Sequence, residues 1–259
     1  MKATLIISVY KDVRALQAVL SSLKQQTEQD IELIISEDGE CAPMREFIGR
    51  YDFPWPVQHL TQADTGWRKQ RALNRAVAAA KCDWLIFIDG DCMLHPRFIE
   101  WHVRYRQRGV MLAGKRVKLN PELSQRWMQG EQVSLFPYLF ARRGCRYVEE
   151  AFYCRIAQWL RRPVKHLVGS NMSMSRADLI AINGFDENYT LPAVGEDYDI
   201  EWRLIANGCK LVSLRNLAVQ YHLYHKENWQ EQSANMAYCT RMQQQQRIVC
   251  EKGIQQWLK

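Results

Sequence analysis

The chain has 259 residues, of which 47% are hydrophobic and 24% are charged, so it can bury a sizeable core and is not expected to be disordered. Its formal net charge is +7, which by itself suits an anionic partner such as nucleic acid or a membrane surface. Residues 97–165 carry 15 Lys and Arg against 5 Asp and Glu, a balance of +10, whereas the remainder carries 20 against 23, a balance of −3. This uneven distribution argues against a protein coated uniformly by nucleic acid.

The opening residues, MKATLIISVYKD, form a short alternating run soon followed by charge, which predicts a first strand rather than a signal peptide. No stretch approaches the roughly 20 apolar residues that a spanning helix needs. We therefore expect a cytoplasmic protein, in peripheral contact at most with the inner face of the cytoplasmic membrane.

Apolar periodicity predicts strands that alternate with helices over the first hundred residues. The predicted strands are 4–9, 31–36, 57–61 and 84–88, and the predicted helices are 15–26, 68–80 and 96–106. This order is typical of an α/β fold with a Rossmann-like, mostly parallel sheet flanked by helices. The dinucleotide glycine fingerprint and the P-loop motif do not occur, which argues against a dehydrogenase or a P-loop nucleotide hydrolase.

Acidic side chains follow two of these strands. Asp89 and Asp91 come directly after the apolar run 84–88, and Asp38 follows the run 31–36. Ligands of parallel sheets bind beyond the carboxyl ends of the strands, so we expect these carboxylates to face one cleft. Two carboxylates 4 Å apart repel each other by roughly 1 kcal/mol in water and about 4 kcal/mol at an effective dielectric of 20. Mg²⁺ or Mn²⁺ would remove that repulsion, whereas the alternative is a solvated turn.

The segment Asp64-Thr65-Gly66-Trp67-Arg68-Lys69-Gln70-Arg71 precedes an Ala-rich helix. A glycine turn followed by three cations at a helix start predicts an anion site, because free N–H groups and basic side chains converge there. The alternative is an ordinary charged first turn.

A second acidic cluster spans residues 195–203. We expect a helix that begins near Glu196, with Glu196 and Asp199 on one side and Arg203 nearby. A carboxylate of this cluster that faced the cleft would serve as a general base, and the alternative is a solvated helix start.

Two histidines, His222 and His225, lie near the end of the globular part. Either could supply a late metal ligand, although both cannot easily bind one ion from a strand, and His222 is the favoured candidate. The alternative for a lone histidine is a structural role.

Taken in order, these motifs resemble those of family 2 glycosyltransferases with the GT-A fold, over about residues 3–226. The matching stretches are residues 6–10, 36–39, 64–74, 89–91, 169–173, 183–187 and 195–199. The later half is most similar to the chondroitin-polymerase and β-galactosyltransferase-like branch. One departure is Glu40, which stands where the family commonly has a small residue.

The resemblance implies a role for each matching residue. Nucleotide-sugar binding falls to Tyr10, Asp38, Asp64, Trp67, Arg68, Asp89 and Asp91, with Asp38 at the uracil and Asp89 at the ribose or the diphosphate. Mn²⁺ or Mg²⁺ is held by Asp91 and His222, or by His225 in place of His222. Asp197 is the general base, and Glu196 assists it or binds the acceptor. The implied acceptor-side residues are Asn171, Asp186 and Glu187.

The resulting expectation is a single GT-A domain over residues 1–226, with a variable, helical and basic acceptor-side insert at 97–165, and a C-terminal helical extension at 227–259. The expected activity is inverting, metal-dependent transfer from a UDP-sugar to a hydroxyl of a bacterial surface glycan, such as lipopolysaccharide or capsule. The basic insert, in which arginines mix with aromatic residues, would contact an anionic or lipid-linked acceptor or an anionic membrane. Two alternatives remain: a non-catalytic sugar-nucleotide-binding relative, and a nucleic-acid-binding protein that uses residues 97–165. No nucleic-acid-binding motif supports the second of these.

Overall fold

The structure is a computed structural model that describes residues 1–131, 133–134, 137, 144–155, 163–226 and 231–258. In this part of the chain the strands are β1 (Ala3–Val9), β2 (Ile31–Glu37), β3 (Val57–Leu60), β4 (Trp84–Asp89), β5 (Cys92–Leu94), β6 (Val110–Ala113), β7 (Lys115–Lys118), β8 (Met172–Ser175), β9 (Lys210–Ser213) and β10 (Val219–His222). The α-helices are α1 (Val13–Leu23), α2 (Ala42–Arg50), α3 (Lys69–Ala79), α4 (Phe98–Arg104), α5 (Pro121–Met128), α6 (Arg176–Ala181), α7 (Tyr198–Ala206) and α8 (Ser233–Gln244). Two 3₁₀ helices span Val148–Ala151 and Ile254–Trp257.

A seven-stranded sheet in the order β3-β2-β1-β4-β8-β6-β9 forms the centre of the molecule. All its neighbouring strands run parallel except those that contact β8, which is antiparallel to both β4 and β6. The predicted α/β class with a mostly parallel sheet is therefore confirmed. Each predicted strand and helix of the first hundred residues is present within one to three residues of its expected ends. Two elements were missed. Helix α2 buries only Met44 and Ile48 and so has a weak apolar pattern, and strand β5 has only three residues.

The central strands are apolar on both faces because helices cover both. Consecutive side chains along β1 point to opposite faces of the sheet, so Leu5 and Ile6 enter two separate hydrophobic clusters. One cluster packs against α1 and α4, and the other against α3, α6 and α7. This arrangement explains the unbroken apolar runs of β1, β2 and β4.

The register of the parallel strands brings their acidic ends together. Ser8 of β1 pairs with Ser36 of β2 on one side and with Asp89 of β4 on the other. Asp38 and Asp91 therefore leave the sheet at the same edge, as expected for ligands at the carboxyl ends of parallel strands.

A smaller three-stranded sheet, in the order β5-β10-β7, lies beside this edge. His222 of β10 pairs with Cys92 of β5, which directly follows Asp91. The antiparallel pairing of these two strands therefore brings residues 130 positions apart in the sequence next to each other.

We expected the basic stretch 97–165 to be helical, but it also contains strands. It contributes β6 to the central sheet and β7 to the smaller sheet, in addition to α4 and α5. Several of its aromatic side chains pack inside the protein: Tyr153 stacks on His95, with ring centroids 4.5 Å apart, and Trp127 lies edge-on to Tyr221. Tyr147 and Phe152 are more than half exposed. The aromatic residues 136, 138, 140 and 159 and the arginine pairs 142–143 and 161–162 lie outside the described residues.

The C-terminal segment packs back onto α3. Ile254 is fully buried in the cluster that contains the inner face of α3, and the Trp257 ring lies under the guanidinium groups of Arg71 and Arg75. None of the helices formed by the described residues is both long enough and apolar enough to cross a bilayer.

Candidate active site

The turn between Asp89 and Asp91 is held tightly against β1. The Gly90 N–H donates to the Ser8 carbonyl at 2.7 Å. A Cβ at position 90 would lie 2.7 Å from a methyl carbon of Val9, so only glycine fits here without displacing β1. The close approach fixes where the two flanking carboxylates emerge.

Asp91 faces both histidines of the C-terminal motif. Its Oδ2 lies 3.5 Å from His222 Nε2 and 3.2 Å from His225 Nε2. One ligand atom from each of these three residues lies within 4.8 Å of the others, which is close enough to surround one ion. We expected that both histidines could not easily bind one ion from a strand, but β10 ends at His222, so His225 is not part of the strand and both rings face Asp91.

The pKa values of this cluster suit cation binding. Burial opposes ionisation of Asp91, but the hydrogen bond from His225 and the charges of both histidines hold the pKa of Asp91 below its usual range. Burial lowers the pKa of His222 despite the neighbouring carboxylate. Asp91 is therefore ionised, and an imidazole with a lowered pKa gives up its proton more readily, which makes its nitrogen lone pair available for a metal.

One lysine, Lys69, lies between the carboxylates of Asp89 and Glu196. The Nζ of Lys69 is 2.7 Å from Asp89 Oδ1 and 2.5 Å from Glu196 Oε2, and its side chain is 12% exposed. The two carboxylates raise the pKa of Lys69 although burial opposes its charge. Arg116, on β7, donates to Ser170 and lies 3.7 Å from Asp89 Oδ2. Two cations thus balance the acidic edge of the sheet. Lys69 belongs to the segment in which an anion site was expected, whereas Arg116 lies in the basic stretch 97–165 and was not singled out.

Glu196, the second carboxylate partner of Lys69, and its neighbour Asp197 lie at the start of helix α7. Helix α7 begins at Tyr198, so Glu196 precedes the helix and Asp197 caps it, accepting a hydrogen bond from the Tyr198 N–H. Burial raises the pKa of Glu196 to about 7, although Lys69 pulls it down. Burial also raises the pKa of Asp197. A carboxylate with a raised pKa is a stronger proton acceptor, as a general base must be.

Asp199 does not share a side with Glu196, which corrects the helical placement expected from the sequence. Its carboxylate is fully buried and pairs with Arg203, whose Nε lies 2.7 Å from Asp199 Oδ2. Tyr189 and Trp202 also donate to Asp199. This ion pair anchors α7 to the protein interior and leaves Glu196 and Asp197 at the cleft.

The predicted base-binding residues lie around Asp38. Its two carboxylate oxygens accept from Gln62 Nε2 at 2.7 Å and from the Arg68 N–H at 2.9 Å. Trp67 adjoins this group, and its buried indole Nε1 has no hydrogen-bond partner among the described residues. The Arg68 guanidinium donates to the Trp67 carbonyl.

Tyr10 and Asp64 contact each other across the same end of the sheet. The Tyr10 hydroxyl donates to Asp64 at 3.2 Å, and Lys11 forms an ion pair with Asp64 at 2.6 Å. The hydrogen bond from Lys11 lowers the pKa of Asp64. Tyr10 is 56% exposed, and the Lys11 ammonium lies over its ring, 4.7 Å from the centroid.

The three residues predicted on the acceptor side are buried among protein groups. Asn171 is fully buried and donates to the carbonyls of Lys115 and Ala218. Asp186 accepts from Tyr238, at 2.7 Å. Glu187 accepts from Asn74 and Trp257. Asn171 thus joins β7 to the residue before β10, whereas Asp186 and Glu187 fix the second half of the fold to α3 and to the C-terminal segment. The acceptor role of all three stays a prediction.

The architecture and its acidic edge define the class of protein. A mostly parallel sheet with carboxylates and histidines at one edge and a carboxylate-capped helix opposite is the GT-A fold. TarS of S. aureus in complex with UDP-GlcNAc aligns with 99% of this chain and 69% of its own, with a TM-score of 0.65 and 12% identity. The mannosyltransferase PcManGT of Pyrobaculum calidifontis, in complex with GDP-Man and Mn²⁺, aligns with 88% of this chain and 58% of its own, with a TM-score of 0.59 and 14% identity.

The sequence comparisons assign the family. Residues 4–179 match Glycosyl transferase family 2, and the chain belongs to this family. Residues 150–226 match a domain described as the N-terminal domain of galactosyltransferase. Among curated relatives, a validoxylamine A glucosyltransferase of Streptomyces hygroscopicus is 24% identical over 82% of this chain and 53% of its own length. The chondroitin synthase of Escherichia coli is 23% identical over 93% of this chain and 38% of its own. The chain thus spans about half or less of the length of these relatives.

Proposed function

We propose that the chain transfers a sugar from a nucleotide-sugar donor, with a UDP-sugar as the first choice, to an acceptor hydroxyl with inversion at the anomeric carbon. The observation that carries the proposal is the meeting of three groups in one cleft. These are the Asp91–His222–His225 cluster, the cations Lys69 and Arg116, and the carboxylates before α7. Complexes of fold neighbours with UDP-GlcNAc and with GDP-Man support the donor class.

The residues present fit a divalent cation. Asp91, His222 and His225 would hold it, and the mixture of oxygen and nitrogen ligands favours Mn²⁺ over Mg²⁺, which prefers an all-oxygen shell. Fold neighbours with bound Mn²⁺ support this choice. When bound, such an ion neutralises negative charge on a diphosphate leaving group.

The donor would lie along the edge of the sheet. Asp38 would accept a hydrogen bond from the base, with the Tyr10 ring beside it and the Trp67 indole N–H free to donate. Arg68, Asp64 and Asp89 would then flank the ribose and the diphosphate. The order of these residues along the edge supports the placement, because β2 and β4 lie on either side of β1.

The acceptor hydroxyl would be activated by Asp197. Its carboxylate sits at the first turn of α7 with one oxygen occupied by the Tyr198 N–H, and burial raises its pKa. Asp197 would take the proton while the hydroxyl oxygen forms a bond to the anomeric carbon and the bond to the diphosphate breaks. Glu196, paired with Lys69, would orient the acceptor.

The proposal for the acceptor class rests on the positive charge of one segment of the chain. The basic segment 97–165 supports an anionic glycan or lipid-linked glycan of the bacterial surface, with lipopolysaccharide or capsule as examples. Peripheral contact with an anionic membrane and a cytoplasmic location stay predictions.

The donor proposal is tested by screening UDP-galactose, UDP-glucose, UDP-GalNAc, UDP-GlcNAc, UDP-glucuronate and GDP-mannose for release of nucleoside diphosphate. Release from at least one donor is expected with Mn²⁺, and EDTA should abolish it. Asp91→Asn should lose activity, whereas Asp52→Asn, which changes an exposed carboxylate before β3 at the other edge of the sheet, should not. Full activity in EDTA would contradict the metal assignment, and binding without any release would indicate a non-catalytic relative.

A further inference from the structure

Lys69 joins two carboxylates that the proposed function assigns to different substrates. Asp89 lies on the donor side and Glu196 on the acceptor side, and the Lys69 ammonium contacts both at 2.7 and 2.5 Å. The lysine is the first residue of α3, so its long side chain alone spans the distance from the helix to both partners. One cation therefore links the two halves of the site.

The two carboxylates do not depend on Lys69 equally. Asp89 has a second cation, Arg116, 3.7 Å away. Glu196 has Lys69 as its ion-pair partner among the described residues, and the Glu196 carboxylate is only 15% exposed. Loss of the Lys69 contact would leave Glu196 with the larger change in electrostatic environment.

A nucleoside diphosphate at the edge of the sheet would compete for the same ammonium. Its phosphate oxygens carry more negative charge than a single carboxylate, and ammonium–phosphate hydrogen bonds are charge-assisted. Lysine suits such an exchange because its ammonium is a compact charge with three donors on a flexible stem, unlike the planar guanidinium of arginine.

We infer that Lys69 changes partner during the reaction cycle, pairing with Glu196 in the free protein and with the diphosphate of the donor when nucleotide binds. This inference rests on the proposed function, and it makes Lys69 a further donor-binding residue that also positions Glu196. Glu196 therefore weakens nucleotide binding by holding Lys69, and nucleotide binding releases Glu196 toward the acceptor. By thermodynamic linkage, any ligand that engages Glu196 on the acceptor side also strengthens nucleotide binding.

The sign of one mutational effect separates this exchange from a purely structural ion pair. If Lys69 only fastens α3 to the loop before α7, then Glu196→Gln loosens the site and weakens nucleotide binding or leaves it unchanged. If Lys69 exchanges partners, then Glu196→Gln frees the ammonium and tightens nucleotide binding.

The experiment is a double-mutant cycle read by calorimetric titration of UDP in the presence of Mn²⁺. It uses wild type, Lys69→Met, Glu196→Gln and the double variant. We expect Glu196→Gln to bind UDP about fivefold to tenfold more tightly and Lys69→Met to bind it about tenfold more weakly. In the Lys69→Met background, Glu196→Gln should change the affinity by less than about twofold. Asp197→Asn is the matched control, because it removes a neighbouring negative charge that makes no ion pair with Lys69 among the described contacts.

The outcomes distinguish the exchange from the proposed function. Failure of wild type to bind UDP or GDP overturns the proposed donor class and the exchange with it. Two results overturn the exchange alone while wild type still binds UDP. In the first, Glu196→Gln does not tighten UDP binding; in the second, Glu196→Gln tightens it equally in the wild-type and Lys69→Met backgrounds. Should Lys69→Met fail to fold by circular dichroism, Glu196→Gln is compared with Asp197→Asn. Greater tightening in Glu196→Gln supports the exchange, and equal tightening overturns it.

Discussion

Replacing Arg203 with methionine should destabilise the fold strongly, because it would leave the buried Asp199 carboxylate without its counter-charge. Both side chains are 1% exposed, and Arg203 also donates to the carbonyls of Ile182 and Gly184. Removing one partner of such a buried pair costs about 3 to 5 kcal/mol. The hydrogen bonds from Tyr189 and Trp202 to Asp199 remain, so we expect the loss to stay within that range rather than exceed it. In a chain of this length the change corresponds to a fall in Tm of about 6 to 20 °C.

Urea denaturation followed by circular dichroism measures this loss. Arg97→Met is the control, because the Arg97–Glu100 pair is partly exposed and its removal should cost at most about 1 kcal/mol. The double variant Arg203→Met, Asp199→Asn should recover part of the stability, since it removes both charges together and keeps an oxygen that accepts from Tyr189 and Trp202. A loss below about 1 kcal/mol for Arg203→Met alone would refute the reasoning, because it would mean that Asp199 is neutral or hydrated in the folded protein.

Three further predictions concern buried polar groups. Gln70→Met should raise the free energy of unfolding by about 1 kcal/mol in urea titrations. The reason is that Gln70 is fully buried and its amide has no hydrogen-bond partner among the described residues. A loss of stability in Gln70→Met would show that the amide is hydrogen-bonded. His102→Gln should remove an acid-sensitive contribution to stability. Burial lowers the pKa of His102 to about 3. Below the ordinary histidine pKa of about 6.5, the unfolded chain therefore binds a proton at His102 that the folded chain does not bind. Stability falls as the pH falls from about 6.5 toward 3. Between pH 7 and 5 the wild type should lose about 2 kcal/mol more than the variant, and equal losses would contradict the assignment. Gly114→Ala should lower the free energy of unfolding by about 2 kcal/mol, since the new Cβ would lie 2.3 Å from the Asn171 amide nitrogen. Gly49→Ala, in open space within α2, should not destabilise the protein. Equal effects of the two substitutions would contradict the packing argument.

The sheet could be predicted from the sequence because its central strands are apolar on both faces. The runs 4–9, 31–36 and 84–88 contain few polar residues, as is typical of buried parallel strands. The carboxylates that follow two of these runs were expected at one edge because parallel strands end on the same side of a sheet. Helix α2 could not be found in the same way, because only two of its side chains are buried. The strand β6, inside the basic segment, was missed because its four apolar residues are too few to distinguish a strand from a loop.

The candidate site was predicted in part. Residues that follow a strand were identified by position, as Asp38 and Asp89 were, whereas Asp197 was singled out from its cluster by the family resemblance. Lys69 was expected only as one of three cations at an anion site, and its two carboxylate partners were not predicted. Its burial results from Glu196, 127 residues later, and from a tertiary contact that periodicity does not reveal. Asp199 was misplaced for a related reason, since helical spacing does not indicate which side of α7 faces the interior.

Release of nucleoside diphosphate by wild type and by Asp197→Asn, measured side by side with the donor that the screen identifies, tests the central claim most directly. The account predicts that wild type releases the diphosphate, and that Asp197→Asn loses this turnover while its affinity for UDP stays within about threefold of wild type. Retained turnover in Asp197→Asn, or no release from any donor by wild type, would contradict it.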